Sequence, residues 1–178
     1  MNILVTGGSG LIGHNVVARL EAKGHNVIVV DNFTNYGIIP PDEIQYLHFE
    51  RRKKFTSSIN NIDIQHITSV DNLFARTQPE VVIHLASFPR QKVVNADPAW
   101  GSRVMSEGLI NLCESAKKHK VRHFVYISSS MVYGDFKDDV SEDAECHPIG
   151  QYGIMKLAGE WLVKDYARRG IFTYSIIR

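Results

Sequence analysis

One segment narrows the folding options of this chain more than any other: Thr6-Gly7-Gly8-Ser9-Gly10-Leu11-Ile12-Gly13. It follows Asn2 to Thr6, where the consecutive Ile3, Leu4 and Val5 read as a strand buried on both faces. It opens Leu11 to Lys23, where Ile12, Val16, Val17 and Leu20 recur at helical spacing and Gly24 suits the C-terminal cap. Val27 to Val30 is a second buried strand, ending at Asp31. Strand, glycine turn, helix and strand make a βαβ unit, and such a unit requires parallel strands.

The alternation continues. Phe33 to Asn61 is the least readable stretch, with Pro40-Pro41, a short apolar piece at Tyr46 to Phe49 and a basic run, Arg51 to Lys54. A third strand falls within Ile59 to Ile67, and Val70 to Arg76 reads as a short helix. Val81 to Ala86 is a strand, Pro98 to His119 a long helix, Phe124 to Ser128 a fifth strand, Gln151 to Arg169 an amphipathic helix and Phe172 to Ile177 a sixth strand. The expected class is α/β, a doubly wound parallel sheet with helices on both faces. The 178 residues suit one domain, which buries roughly 70% of its unfolded surface without a staple. Two cysteines make no C-x-x-C pair, and a net charge of +1 argues neither for nor against a polyanionic partner. No apolar run has the length of a membrane span, and Met1 to Val5 lacks the basic start of a signal peptide. The reading is a protein of the cytoplasm that binds neither membrane nor nucleic acid.

Glycines in that turn let backbone approach a pyrophosphate without Cβ clashes, and the helix start offers free N–H groups to the anion. The alternative is a glycine turn with no ligand. Asp31 closes the second strand, where a carboxylate can accept both hydroxyls of an adenosine ribose and would repel a 2′-phosphate. That favours NAD over NADP, unless Asp31 only caps the turn that follows. The basic run is read as a solvated loop. Tyr152 and Lys156 stand i, i+4 on a helix and share a face. An ammonium there favours the phenolate of a tyrosine that can exchange a proton with a substrate hydroxyl. Alone, such a pair is also a common surface pair. Ser128, Ser129 and Ser130 follow the fifth strand, on the side where parallel sheets bind ligands. A hydroxyl there either orients the reacting oxygen or simply caps a turn.

Taken together these residues resemble the extended short-chain dehydrogenase/reductase family, which includes NAD-dependent epimerases and dehydratases of nucleotide sugars. The resemblance is carried by Thr6 to Gly13, Asp31-Asn32, Asp63-Ile64, His84-Leu85-Ala86, Ser128 to Gly134 and Tyr152-x-x-x-Lys156. It implies a Rossmann-type domain over residues 1–178. It implies that Gly7, Gly10, Leu11, Ile12 and Gly13 cradle the pyrophosphate of NAD. By the same resemblance Asp31 and Asn32 meet the adenosine ribose, Asp63 and Ile64 flank the adenine, and Leu85, Ala86 and Ser87 line the cofactor cleft. Ser129, Tyr152 and Lys156 match the catalytic set, with Tyr152 as acid/base for hydride transfer to and from NAD on a nucleotide sugar. The alternatives are the same chemistry on a non-sugar alcohol, and a dinucleotide-binding module without turnover.

Several positions depart from the family pattern. Val104 and Met105 stand where an Asn is usual, with Gly108 matching a glycine, which is expected to loosen the contact with the active-site helix. Ser87 replaces a small apolar residue, Met155 precedes Lys156, and His66 rivals Asp63. Ser130-Met131 replace the Asp-Glu pair of dehydratases. Family members usually carry a C-terminal substrate lobe, which these residues lack, so weak turnover is expected of this chain alone. In many relatives the two long helices form a homodimer interface. No histidine shows zinc-helix spacing, and no metal is expected. His84 reads as structural, His14 as facing solvent, and Trp100 and Trp161 as core or interface residues.

Overall fold

The structure is a computed structural model, and it describes residues 1–35, 37, 39–88, 90–135 and 139–178. The short apolar runs all pair into one sheet. Strands β1 (Asn2–Thr6), β2 (Asn26–Asp31), β3 (Ile59–Asn61), β4 (Val81–His84), β5 (His123–Ile127) and β6 (Thr173–Ile177) form a six-stranded sheet in the order β3-β2-β1-β4-β5-β6. Every pairing is parallel, and Thr6 stands level with Val30 on one side and His84 on the other. The chain order reverses between β1 and β4, which opens a crevice at the C-terminal strand ends.

Helices cover both faces, as alternating side chains require. Ile3 and Val5 pack with Val17 of α1 (Gly13–Ala22) and with Val27, Val29 and Phe55. Leu4, Ile28 and Val30 face the other way. They meet α3 (Ile67–Thr77) through Val70, Leu73 and Phe74, and α6 (Gly108–Lys118) through Leu109, Leu112 and Cys113. Val163 and Tyr166 of α7 (Gly150–Arg168) close that side.

Four elements differ from the sequence reading. The unread stretch contains α2 (Pro41–Arg52), with Pro41 in its first turn, where proline's missing N–H costs nothing. None of its residues is buried, so it has no apolar stripe to reveal it. A short α4 (Gln91–Ala96) precedes α5 (Pro98–Ser102). The expected long helix is interrupted by a π-helical turn, Arg103–Glu107, before α6. α1 begins at Gly13 rather than Leu11, which leaves Leu11 and Ile12 in an exposed turn.

Candidate active site

The crevice is a cavity of about 560 Å³, within the range of cofactor sites. Gly7, Gly10, Leu11, Ile12 and Gly13 line it from the glycine turn, Asp31 and Asn32 from β2, and Asp63 and Ile64 from beyond β3. Leu85, Ala86 and Ser87 line it from beyond β4, and Tyr152 and Lys156 from α7. Ser129 is not on the cavity wall itself, where Ser128 stands; its hydroxyl caps the turn by accepting from the Met131 N–H at 3.2 Å and lies close enough to the Tyr152 phenol to lower its pKa. Ile44, His48 and Arg51, spaced four and three apart on one face of α2, also line the cavity. Sequence reading missed them because that helix was unread.

The glycine turn is tight because backbone packs on backbone. Gly7 has φ +69°, and a Cβ there would meet the Ala86 nitrogen at 2.8 Å. A Cβ on Gly13 would lie 2.0 Å from the Gly7 oxygen, so α1 sits against the turn with no room for a side chain. Thr6 ties the turn to the next strand end. Its hydroxyl accepts from the Ala86 N–H at 3.1 Å and meets His84 Nδ1 at 2.8 Å. Burial lowers the His84 pKa to about 3, with the Lys156 charge adding to it, so this imidazole is neutral and structural. His14 does not face solvent. It is buried, its Nδ1 bonds the Gly10 carbonyl at 2.8 Å, and Lys54 Nζ approaches its Nε2 at 3.3 Å.

At the β2 end, Asp31 both lines the cavity and caps the turn. Its Oδ1 accepts from the Phe33 N–H and its Oδ2 from the Ser9 N–H, each at 2.9 Å. Asn32 donates to Asp63 Oδ2 at 3.1 Å, and Asp63 Oδ1 accepts from the Gln65 N–H at 2.9 Å. Asp63 therefore holds the cavity position, while its rival His66 is exposed before α3. The basic run is exposed from Arg52 to Lys54, as expected of a solvated segment, but it begins inside α2 rather than in a loop. Arg51 donates to the Ser9 carbonyl at 3.3 Å, Arg52 to the carbonyls of Phe55 and Thr56, and Lys53 pairs with Glu50.

At the β5 end, α7 presents Tyr152 and Lys156 side by side, with the ammonium 5.9 Å from the Tyr152 ring centre. Lys156 is buried, donates to the Ile127 carbonyl at 2.8 Å, and lies 5.2 Å from the Tyr126 ring centre. Burial lowers its pKa from 10.5 to about 8. Burial pushes the Tyr152 phenol above the usual tyrosine value, and the Ser129 hydrogen bond only partly opposes this. The resting group is thus the neutral phenol rather than the phenolate.

The surroundings hold this pair by three routes. Val104 and Met105, in the π turn, pack with Phe88 and Val94, and Tyr152 and Met155 lie against that cluster. The missing family Asn is thus replaced by apolar contact rather than by a looser one. α7 has no side-chain cap of its own, but Asn95 of α4 accepts from the Tyr152 N–H at 3.4 Å. Behind Ser128 lies Glu160, fully buried, accepting from the Ser128 hydroxyl at 2.6 Å and from Arg178 Nε and Nη2 at 2.9 and 2.7 Å. Arg178 also donates to the Tyr133 hydroxyl at 2.7 Å.

Among the described residues no group of histidine, cysteine and carboxylate side chains could hold a metal ion, and no helix is long and apolar enough to cross a membrane. Cys113 and Cys146 are free. Trp100 packs edge-on to Phe88 at 4.8 Å, whereas Trp161 is 69% exposed on α7.

The model of the NAD dependent epimerase/dehydratase family matches residues 3–178. The chain belongs to that family. It is 34% identical over 171 residues to the UDP-glucose 4-epimerase of Schizosaccharomyces pombe, covering 92% of this chain and 46% of that protein. It is 29% identical to the CapI protein of Staphylococcus aureus, covering 94% and 50%. Among solved structures, UDP-glucose 4-epimerase of Thermotoga maritima with UDP-glucose superposes with a TM-score of 0.86 at 30% identity, covering all of this chain and 55% of that one. The Thermus thermophilus UDP-glucose 4-epimerase in complex with NAD gives a TM-score of 0.85 at 26% identity, covering 100% and 54%. The chain spans about half the length of the curated relatives it matches.

Proposed function

We propose that residues 1–178 bind NAD and carry the redox centre of an epimerase that acts on a nucleotide sugar. The observation behind this is the arrangement of one cavity. A glycine turn with no room for a Cβ and the Asp31 carboxylate lie at one end, and Tyr152, Lys156 and the Ser129 contact lie at the other. Gly7, Gly10 and Gly13 leave backbone facing the space a pyrophosphate needs, and Asp31, Asn32 and Asp63 offer acceptors to the adenosine half. When bound, NAD supplies reversible two-electron oxidation of an alcohol carbon.

The side chains divide the remaining work. Ser129 steadies the reacting sugar oxygen and Tyr152 exchanges its proton. A buried neutral phenol is set to deliver a proton to a carbonyl oxygen, and a nearby positive charge lets it take one from a hydroxyl. With its pKa near 8, Lys156 is mostly an ammonium at neutral pH and supplies such a charge. Ser130 and Met131 offer no acid/base pair after Ser129, so return of the electrons to the same carbon, rather than loss of water, fits this chain. Exposed Ile110, Ile154 and Trp161 on α6 and α7 support a homodimer through those helices, in a cytoplasmic protein.

Calorimetric titration with NAD, followed by addition of UDP-, GDP- or dTDP-sugars with nicotinamide fluorescence as the readout, tests this. Uptake of NAD and a transient reduced signal with a nucleotide sugar are expected. Tyr152→Phe should keep the uptake and lose roughly 10²- to 10⁴-fold in rate. A signal from free alcohols alone moves the reading to a simple dehydrogenase. NAD uptake with no signal from any alcohol makes the chain a binding module.

A further inference from the structure

One buried charge has no part in the proton transfer. Glu160 is wholly buried, yet it does not line the cavity. A glutamate is almost never placed so deep unless it is paired. Its pairing is complete. Arg178, the residue after β6, donates through Nε to Oε1 at 2.9 Å and through Nη2 to Oε2 at 2.7 Å. The Ser128 hydroxyl donates to Oε1 at 2.6 Å. A two-pronged pair of this kind fixes direction as well as charge. Apolar residues of similar volume often hold a fold as well as a buried ion pair does, so stability alone does not account for this one.

What the pair holds is the catalytic end of the cavity. Tyr152, Lys156 and Glu160 follow one another at intervals of four on α7, so they share a face. Lys156 donates to the carbonyl of Ile127, the last residue of β5, and Glu160 accepts from the next residue, Ser128. Two successive residues are thus tied to two successive turns of the helix that carries Tyr152. The Ser128 N–H also donates to the Ile177 carbonyl of β6 at 2.7 Å. Ser129 comes directly after this anchored residue, close enough to the Tyr152 phenol to lower its pKa. Further on, Arg178 Nη1 donates to the Tyr133 hydroxyl at 2.7 Å and to the Glu142 carbonyl at 2.9 Å. The segment from Ser128 to Tyr133 is therefore held at both ends by one ion pair, with Ser129 in between.

We propose that Glu160, locked by Arg178, is a positioning residue of the redox centre: through Ser128 it sets the place of the Ser129 hydroxyl against Tyr152. The inference rests on the redox reading given under Proposed function. Neither Glu160 nor Arg178 lines the cavity, so both act through the segment they hold rather than on the reacting atoms.

The rate of nicotinamide reduction in the NAD complex tests it, with UDP-, GDP- and dTDP-glucose as probes. Ser128→Ala removes the linking hydroxyl and leaves the Glu160–Arg178 pair in place. It should slow reduction by roughly 10- to 100-fold, as a small misplacement of a group beside the reacting atoms does. Affinity for NAD, read by calorimetry, should stay within about twofold of the parent. Glu160→Gln, if circular dichroism shows it folded, should act in the same direction; Ser128→Ala carries the test if it is not. In a Ser129→Ala background the loss from Ser128→Ala should shrink to about twofold or less, because the group being positioned is gone. Val163 is buried in the core on the same helix, and Val163→Ala should lower the melting temperature while keeping the rate. Full rate in Ser128→Ala overturns the inference. A loss that persists undiminished without the Ser129 hydroxyl overturns it too, and makes Ser128 a group that meets the substrate directly. An equal loss in Val163→Ala overturns it as a plain effect of stability. Each of these leaves the redox reading standing, since the parent reduces its nicotinamide. A parent that takes up NAD but is silent with every probe overturns that reading and this inference with it.

Discussion

Lys156→Met separates the cost of the catalytic charge from the stability of the fold. The ammonium is buried, and its pKa falls from 10.5 in the unfolded chain to about 8. At 1.36 kcal/mol per tenfold, holding the charge at neutral pH costs roughly 3 kcal/mol. Methionine keeps the unbranched shape without the charge. It also leaves the Ile127 carbonyl without the donor now 2.8 Å away, a loss of about 1 kcal/mol. The variant should therefore be more stable than the parent at pH 7, by roughly 1–2 kcal/mol. The pH dependence carries the sharper signature. Between about 8 and 10.5 the unfolded chain binds a proton that the folded chain does not. The parent then gains stability as pH rises through that window, by at most about 1.4 kcal/mol per pH unit. The variant lacks this gain, so the two curves should cross before the upper end of the window. Urea unfolding of both proteins from pH 7 to pH 10.5 measures the difference directly. A variant less stable at pH 7, or a difference that stays flat across the window, would refute the reasoning.

Other outcomes follow from the same geometry. Glu160→Gln leaves Arg178 without its buried carboxylate, and by urea unfolding should cost about 3–5 kcal/mol at pH 7. Burial pushes the Glu160 pKa up, but hydrogen bonds from Arg178 and Ser128 bring it below the usual value, so its contribution in the parent is lost as pH falls through that lowered value. Gly13→Ala places a Cβ 2.0 Å from the Gly7 oxygen, and should lower stability by at least about 2 kcal/mol and abolish NAD uptake, read by thermal melting and calorimetry. His84, held neutral down to about 3, contributes stability above its unfolded value of 6.5 that is lost progressively in acid. His84→Asn should flatten the decline between those two pH values in an acid-unfolding series.

The glycine turn and the Tyr152–Lys156 pair were legible because their signals are local. A glycine pattern after an apolar strand, and two side chains one helical turn apart, need no knowledge of the rest of the chain. α2 was illegible for a physical reason. Its inward face looks into a cavity rather than a core, so Ile44, His48 and Arg51 form no apolar stripe. β3 has three residues, too few for a periodic signal, and the π turn at Arg103–Glu107 leaves no mark in composition. Glu160 stands on α7 four positions after Lys156, and nothing beside it in the sequence marks it as buried. Its burial depends on Arg178, on a different element and 18 positions away. That burial raises the Tyr152 pKa and lowers that of Lys156 was not legible, because spacing reports that two groups are adjacent but not that both are desolvated.

A crystal grown with NAD addresses the main assertion at atomic level. The pyrophosphate should rest on the backbone around Ser9 and Gly10, with the nicotinamide within contact of the Tyr152 hydroxyl and the adenosine ribose beside Asp31. Density for the dinucleotide outside this cavity, or a nicotinamide remote from Tyr152, would contradict it.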